Sequence, residues 1–175
     1  MSLQELIDRY AAGAPAVRRS VEGLNVEQVA ARPIAGKWST LEVVSHLADF
    51  EIIGVDRLTA VIAETDPTLP GRDEQCYAAR LGYQNRDLQE QLQLIELCRN
   101  HATRILRSLS EADFDRCGIH TEAGPLTLRQ VLERVVRHVE HHVPFIDEKR
   151  RALIGRRRGV CAMQCNELTL DGVRS

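Results

Sequence analysis

The residues that could most clearly do chemistry are two histidines near the end of the chain. His138 and His142 lie four residues apart in the segment RHVEHHVPF. In a helix, this spacing puts two side chains about 40° apart around the axis and about 6 Å apart along it, so both imidazoles can bind one ion. The same stripe is continued by the apolar residues Val131, Val135 and Ile146. The pair is therefore predicted to point into the protein.

His46 is a third histidine with inward-facing character. Its own helix face also carries Val43, Phe50 and Ile53. A single buried histidine is most often a hydrogen-bonded core residue, and an HxxxH pair also arises by chance, but three such histidines in one small core are costly to bury without partners. One divalent cation would satisfy His46, His138 and His142 together. His141 lies about 100° from His142 around the helix and is expected to face elsewhere.

Several charged residues near these histidines have two open interpretations. Asp49 follows His46 by three residues, and Glu140 lies between the paired histidines in sequence. Either carboxylate could orient a metal ligand or act as a general base, or it could lie on an exposed helix face. Arg57 could recognise an anionic substrate group or form an internal ion pair. The sequence therefore identifies no catalytic base.

The helix that carries His46 has a clear start signal. Ser39 and Glu42 have the spacing of a capping box, in which the serine hydroxyl accepts a hydrogen bond from the Glu42 amide and the Glu42 carboxylate accepts one from the Ser39 amide. This signal predicts a helix from Thr40 to about Glu64.

The helix that carries the histidine pair begins with the same signal. Thr127 and Gln130 repeat the capping-box spacing. The amphipathic pattern after them predicts a helix that runs to about Leu153. Pro144 removes one backbone hydrogen bond inside it, so we expect a kink there in a helix that continues.

Helical periodicity predicts the remaining architecture as well. Two more long helices are predicted over 3–22 and 87–108, short ones over 26–30 and 74–80, and Pro- and Gly-containing connectors over 23–38, 65–71 and 110–126. We find no sequence signal for a β-hairpin. Four long amphipathic helices predict an all-α four-helix bundle with short extra helices in the connectors, a scaffold that can hold a metal between facing helices. We place the bundle at 1–154 and a basic, Cys-containing tail at 155–175.

Composition and charge exclude several classes of protein. The chain has 175 residues, of which 43% are hydrophobic and 27% charged, as expected for one globular domain. A chain of this length buries enough surface to fold without a structural metal, so a metal here is expected to be functional. The net charge of −2 argues against nucleic acid as the main partner, although the run RRALIGRRR is basic. We interpret that run as a solvated tail.

The N-terminal segment and the cysteines indicate a cytoplasmic protein. The segment MSLQELIDRY is acidic where a signal peptide would be basic, and no stretch is apolar enough to span a membrane. Five widely spaced cysteines without a CxxC pair suggest neither a disulfide framework nor a zinc ribbon. Cys161 and Cys165 could form a second metal pair or a redox pair, but we favour two incidental thiols.

Several segments together resemble a known family. The segments GKWSTLEVVSHLADFE, VDRL, ETDPTLPGRDE and RHVEHHVPFIDEKR occur in the order seen in the DinB-like (YfiT-like) superfamily of metal-binding four-helix bundles. The resemblance covers about residues 3–153. It implies that His46, His138 and His142 bind one divalent metal. It also implies kinship with proteins described as metal-dependent hydrolases, thiol-dependent S-transferases or a mycothiol-dependent isomerase, which often form dimers.

The functional expectation follows from the site and the resemblance together. We expect a metal-dependent hydrolase or thiol-dependent S-transferase that acts on a small molecule, with a low-molecular-weight thiol as a possible co-substrate and a homodimer as a possible assembly. Zinc, nickel and iron all suit histidine ligands. The alternative is a non-catalytic metal-binding or interaction bundle. A pocket open to solvent beside the histidines would favour the enzyme, and a dry, fully packed triad the alternative.

Overall fold

The computed structural model describes the backbone of residues 1–167 and the side chains of residues 1–153. The α-helices are α1 Leu3–Val21, α2 Val26–Ala30, α3 Thr40–Ala63, α4 Glu74–Arg80, α5 Leu88–Ser108 and α6 Leu128–Glu167. Short 3-10 helices span Tyr83–Asn85 and Glu111–Asp115. The strands are β1 Thr68–Leu69, β2 Cys117–His120 and β3 Gly124–Thr127. Each of the six predicted helices is present.

The four long helices form the predicted bundle. Both α1 and α3 pack against α5 and α6, so each long helix has two long neighbours. The core consists of apolar residues from all four helices, running from Leu6 in α1 to Ile146 in α6. Helix α3, which carries His46, therefore lies directly against α6, which carries His138 and His142. In the part of the chain that the structure describes, we find no helix that combines the length and apolarity needed to cross a membrane.

Both predicted capping boxes are present. The Glu42 amide donates to Ser39 Oγ over 3.1 Å, and the Ser39 amide donates to Glu42 Oε2 over 2.7 Å. At the start of α6, the Gln130 amide donates to Thr127 Oγ1 over 3.2 Å, and the Thr127 amide donates to Gln130 Oε1 over 2.9 Å. These caps satisfy amide groups that the first helical turn leaves unpaired, and they fix where the two histidine-bearing helices begin.

Helix α6 continues further than the sequence pattern predicted. It runs through Pro144 without ending, as expected, but it extends to Glu167 rather than stopping near Leu153. Gly155 and Gly159 are the only strong helix-disfavouring residues in that extension, and isolated glycines cost a helix only about 1 kcal/mol each. The predicted boundary at 154 thus falls inside α6. The rest of the predicted tail, 168–175, and the side chains of Cys161 and Cys165 lie outside the described residues.

A small three-stranded sheet that the sequence did not predict packs against α3 and α6. Strand β1 pairs in parallel with β2, and β2 pairs antiparallel with β3, with Ile119 opposite Pro125. The turn between β2 and β3 is held by His120, whose Nδ1 accepts from the amides of Glu122 and Ala123. Strands of two to four residues carry too little alternation to be recognised, and the connection lacks an Asn-Gly or Asp-Gly turn.

Candidate metal centre

The three predicted histidines converge between α3 and α6. One ring nitrogen from each of His46, His138 and His142 lies within 4.8 Å of the other two. The Nε2 atoms of His46 and His138 are 2.9 Å apart. His46 is fully buried, His142 is 9% exposed and His138 is half-buried. We call these three residues the histidine centre.

Burial keeps these imidazoles neutral. Desolvation lowers the pKa of His46 to about 4, of His138 to about 3 and of His142 to about 4. Neighbouring rings of the centre lower the pKa of His46 and His138 further, whereas His141 and Lys149 do so for His142. The positive charge of Arg99 depresses the pKa of His138 further. Neutral imidazole is the form that binds a metal ion. The histidine centre therefore presents ligands in the correct protonation state near neutral pH.

The distances between the ring nitrogens of the centre, and the nitrogens left without a partner, fit one divalent ion. Two nitrogens bound tetrahedrally at about 2.0–2.1 Å from zinc lie about 3.3 Å apart. The observed separations, from 2.9 Å to at most 4.8 Å, bracket that distance. The Nδ1 atoms of His46 and His142 are also buried without a hydrogen-bond partner among the described residues. The protein thus leaves part of the hydrogen-bonding capacity of this centre unused.

Aromatic rings enclose the centre. The ring centroid of Phe50 lies 4.5 Å from that of His46 and 5.0 Å from that of His138. The Trp38 ring lies 5.3 Å from His46, and the Phe145 ring lies 5.6 Å from His142. These rings exclude water from the sides of the imidazoles and fix their orientation.

The two carboxylates for which the sequence allowed a role at the metal, Asp49 and Glu140, each form an ion pair with an arginine instead. Asp49 forms a two-pronged ion pair with Arg86, with oxygen–nitrogen distances of 2.7 and 3.0 Å. Glu140 is exposed and pairs with Arg9 over 2.7 Å. Neither hydrogen-bonds to a member of the histidine centre. Their arginine partners are distant in sequence, which is why residue spacing could not decide between the two interpretations.

Glu74 is the carboxylate that does reach the centre, and sequence reasoning did not single it out. Its Oε2 lies 3.8 Å from His46 Nε2, and its side chain is about half exposed. Glu74 begins the short helix α4, which Asp73 caps by accepting from the amides of Gln75 and Cys76. The predicted start of this helix at residue 74 was the only available signal, and it did not indicate that α4 packs across the histidines.

The other histidines and Arg57 lie outside the centre. His101 is exposed on α5, His141 is exposed on α6, and His120 holds the β2–β3 turn. The Arg57 guanidinium donates to the backbone carbonyl of Pro70 over 2.5 Å, so it serves the connector rather than the histidines. The sequence left open whether Arg57 binds an anionic substrate group or forms an internal ion pair. The observed contact is internal, but its acceptor is a backbone carbonyl and not a carboxylate.

A pocket of about 480 Å³ opens beside the histidine centre. Its wall includes His138 and His142 together with residues of α4, α6 and the connector before α3. These include Trp38, Glu74, Gln75, His141, Phe145 and Lys149. Because exposed residues line its mouth, a small molecule can reach two of the three histidines from solvent. The centre is thus an open site rather than a dry, fully packed triad.

This combination of fold and site defines a class: a four-helix bundle with a solvent-accessible three-histidine centre between its second and last long helices. A family model for the DinB superfamily matches residues 9–146. The chain therefore belongs to the DinB superfamily.

Individual relatives agree with this assignment. A Bacillus licheniformis protein provisionally named as a metal-dependent hydrolase is 31% identical over 142 residues, which cover 80% of this chain and 81% of the relative. YfiT from Bacillus subtilis, described as a probable metal-dependent hydrolase with an unusual four-helix bundle topology, superposes with a TM-score of 0.80 at 24% identity, over 87% of this chain and 90% of YfiT. A mycothiol-dependent maleylpyruvate isomerase superposes with a TM-score of 0.65 at 14% identity, over 82% and 60% of the two chains.

Proposed function

We propose that His46, His138 and His142 bind one divalent metal ion and that the protein is a metal-dependent enzyme acting on a small molecule. The observation that carries this proposal is the meeting of three neutral imidazoles, two of which line a pocket that opens to solvent. Three protein ligands leave a coordination position free, as in catalytic rather than structural sites. The relatives named as metal-dependent hydrolases support the same conclusion.

A bound divalent ion would supply Lewis-acid chemistry, which makes water or a thiol more acidic and polarises a carbonyl group. Zinc, nickel and iron all suit three imidazole ligands. The three histidines would hold the ion, and Trp38 and Phe50 would keep water away from the sides of the ligand rings.

Glu74 is our candidate for the general base. Its carboxylate lies at the edge of the histidine centre and forms no hydrogen bond to another described residue, so Oε2 is available to accept a proton from a nucleophile held in the pocket. Its partial exposure lets that proton pass to solvent. Both reactions that we consider, hydrolysis and thiol-dependent S-transfer, need such a proton acceptor, for an O–H and an S–H group respectively.

The two reactions differ only in the nucleophile that the pocket admits. The names of the relatives favour water, and the mycothiol-dependent neighbour favours a low-molecular-weight thiol. A second candidate function is structural: a bound ion would hold α3 against α6 without taking part in catalysis. The complete burial of His46 is the observation that favours this role. By analogy with the family, we also propose a homodimer, which light scattering would test. Five widely spaced cysteines without a CxxC pair support our proposal of a cytoplasmic location, which cell fractionation would test.

The metal site is tested by metal content in six single variants at equal protein concentration. We expect His46→Ala, His138→Ala and His142→Ala each to weaken metal affinity by at least about 100-fold, because each removes a direct ligand. His101→Ala, His120→Ala and His141→Ala are the matched controls and should retain the metal. Equal retention in all six variants would refute the site, and selective loss in His141→Ala would move it by one residue.

Catalysis is tested by screening the metal-loaded protein for ester and amide hydrolysis and for transfer of low-molecular-weight thiols. Glu74→Gln should lose turnover while it keeps the metal, because the amide cannot accept the proton. If Glu74→Gln behaves as wild type in an active assay, Glu74 is not the base. If the ion stabilises the protein but the metal-loaded protein is inactive in both screens, the result would favour a structural ion between α3 and α6.

A further inference from the structure

The wall of the pocket contains a buried cation that the proposed chemistry does not use. Lys149 on α6 is only 2% exposed, yet it lines the same pocket as His138 and His142. Lysine is almost never fully buried unless it is paired. Among the described residues, the Nζ atom of Lys149 makes one hydrogen bond, to the backbone carbonyl of Phe145 over 3.2 Å. An ammonium group has three N–H donors, so its capacity is not used up.

The carboxylates near Lys149 are already engaged with other cations. Glu148 pairs with Lys37 over 3.1 Å. Glu42 is held by Arg32 and by the capping interaction with the Ser39 amide. None of the ion pairs among the described residues includes Lys149, and burial lowers its pKa. Glu148 and Glu42 raise the pKa of Lys149, but burial outweighs them, so the lysine carries a desolvation cost that no ion pair among the described residues offsets.

The position of this cation relative to the histidines is set by the helix. His138, His142, Phe145 and Lys149 follow one another at spacings of four, three and four residues, which places them on one face of α6. The Lys149 side chain reaches back by one turn to the Phe145 carbonyl, and its Nζ lies 5.8 Å from the Phe145 ring centroid. Along the helix axis, the Phe145 position at which the ammonium group donates lies about one helical turn, or about 5 Å, beyond His142.

The pocket consequently has two polar ends separated by an apolar wall. The histidines and Glu74 form one end, and Lys149 forms the other. Trp38, Val43 and Phe145 lie among the residues that line it. A small molecule that fits this arrangement has a reacting group at one end, an apolar or aromatic middle and a negative charge about one helical turn away.

We propose that Lys149 binds the carboxylate of a small substrate and that it sets a preference of this pocket for anionic over neutral ligands. This inference rests on the proposed function in one respect, that the pocket is the substrate site, but it does not require a bound metal. In the absence of metal the histidines are neutral near pH 7.5, and Lys37 is half exposed and paired. Lys149 is then the buried cation of the pocket.

The experiment uses the full chain without metal and reads the fluorescence of Trp38, the only tryptophan in the sequence. Benzoate is the probe, and benzamide is its neutral counterpart of the same shape. We expect wild type to bind benzoate at least about tenfold more tightly than benzamide, because a hydrogen bond to a charged group is stronger than one to a neutral group. Lys149→Met should lose this preference, and Lys149→Arg should keep most of it.

Lys37→Met is the matched control, because it removes a cation from the same pocket wall that already has a partner. It should keep the preference for benzoate. Equal affinity of wild type for benzoate and benzamide would overturn the proposal even if the Lys149 variants did not fold, and so would an unchanged preference in folded Lys149→Met. The metal-free titration tests the role of Lys149 by itself, and repeating it with metal-loaded protein brings in the metal site. If the protein bound no metal, the proposed metal site would fail, but the metal-free result for Lys149 would still stand.

Discussion

Two polar clusters are buried in this bundle, and they differ in how far their polar atoms find partners within the protein. One is the histidine centre between α3 and α6. The other, which we call the ion-pair centre, joins Arg99 on α5 to Glu51 on α3 and to Tyr10 on α1. Arg99 and Glu51 are each 1% exposed and form an ion pair. Both clusters thus place polar groups in positions where apolar side chains would cost less desolvation free energy.

The ion-pair centre is almost completely satisfied from within the protein. The Arg99 guanidinium donates to Glu51, to the backbone carbonyl of Tyr10 and, over 3.4 Å, to the carbonyl of Val135, and it lies 4.5 Å from the centroid of the Tyr10 ring. A Cβ atom on Gly13 would lie only 1.9 Å from Arg99 Nη1, so this centre has no spare space. Only Arg99 Nε is left without a partner.

The histidine centre lacks this closure. Two of its ring nitrogens have no partner among the described residues, and a pocket reaches two of its side chains from outside. A closed buried network fixes the relative positions of helices, whereas an open one has capacity left for a ligand. The ion-pair centre therefore fixes the packing of the helices, and the open histidine centre supports our proposal of a metal site.

The largest effect should come from breaking the ion-pair centre. Arg99→Met leaves the Glu51 carboxylate buried and unpaired, so the free energy of unfolding of the metal-free protein should fall by about 3–5 kcal/mol. Urea denaturation measures this change. Arg9→Met is the control, since it breaks the exposed pair with Glu140 and should cost about 1 kcal/mol or less. Similar losses in the two variants would show that the ion-pair centre does not stabilise the fold.

A smaller effect should separate the two centres by pH. The pKa of His46 falls from about 6.5 in the unfolded chain to about 4 in the folded protein, so below pH 6.5 the unfolded state binds a proton that the folded state does not. Stability that is present above pH 6.5 is therefore lost as the pH falls toward 4. For metal-free protein, His46→Gln should reduce the loss between pH 7 and pH 5 by on the order of 2 kcal/mol.

Urea denaturation at the two pH values measures that difference. His101→Gln is the matched control, because His101 is exposed on α5, and it should show the wild-type pH dependence. If His46→Gln loses as much stability on acidification as wild type does, His46 is not one of the groups through which acid destabilises the protein.

The smallest effect should come from the C-terminal segment 156–175, which contains no residue by which either centre is defined. The described core ends at Ile146. Deleting residues 156–175 should therefore change the melting temperature of the protein by no more than about 2 °C. Calorimetry of the truncated and full chains measures this. A loss of several degrees would mean that the segment docks on the bundle or on a second copy of the chain.

Much of the histidine centre could be predicted because its determinants are local. The spacing of His138 and His142 and the apolar neighbours of His46 define inward faces of single helices, and two capping boxes define where those helices begin. Glu74 escaped prediction because nothing within α4 shows that this helix crosses the pocket. The same holds for the small sheet, whose strands are too short to have a pattern.

The sequence by itself thus determined the four-helix class, the helix starts and the inward direction of three histidines, since each depends on residues within a few turns of one another. Tertiary structure decided which charges meet. Arg99 and Glu51 are 48 positions apart, and Glu140 pairs with Arg9 across 131 positions. A charged residue has the same local preferences whether its partner is a distant side chain, solvent or a ligand. Only packing of the helices distinguishes the closed ion-pair centre from the open histidine centre.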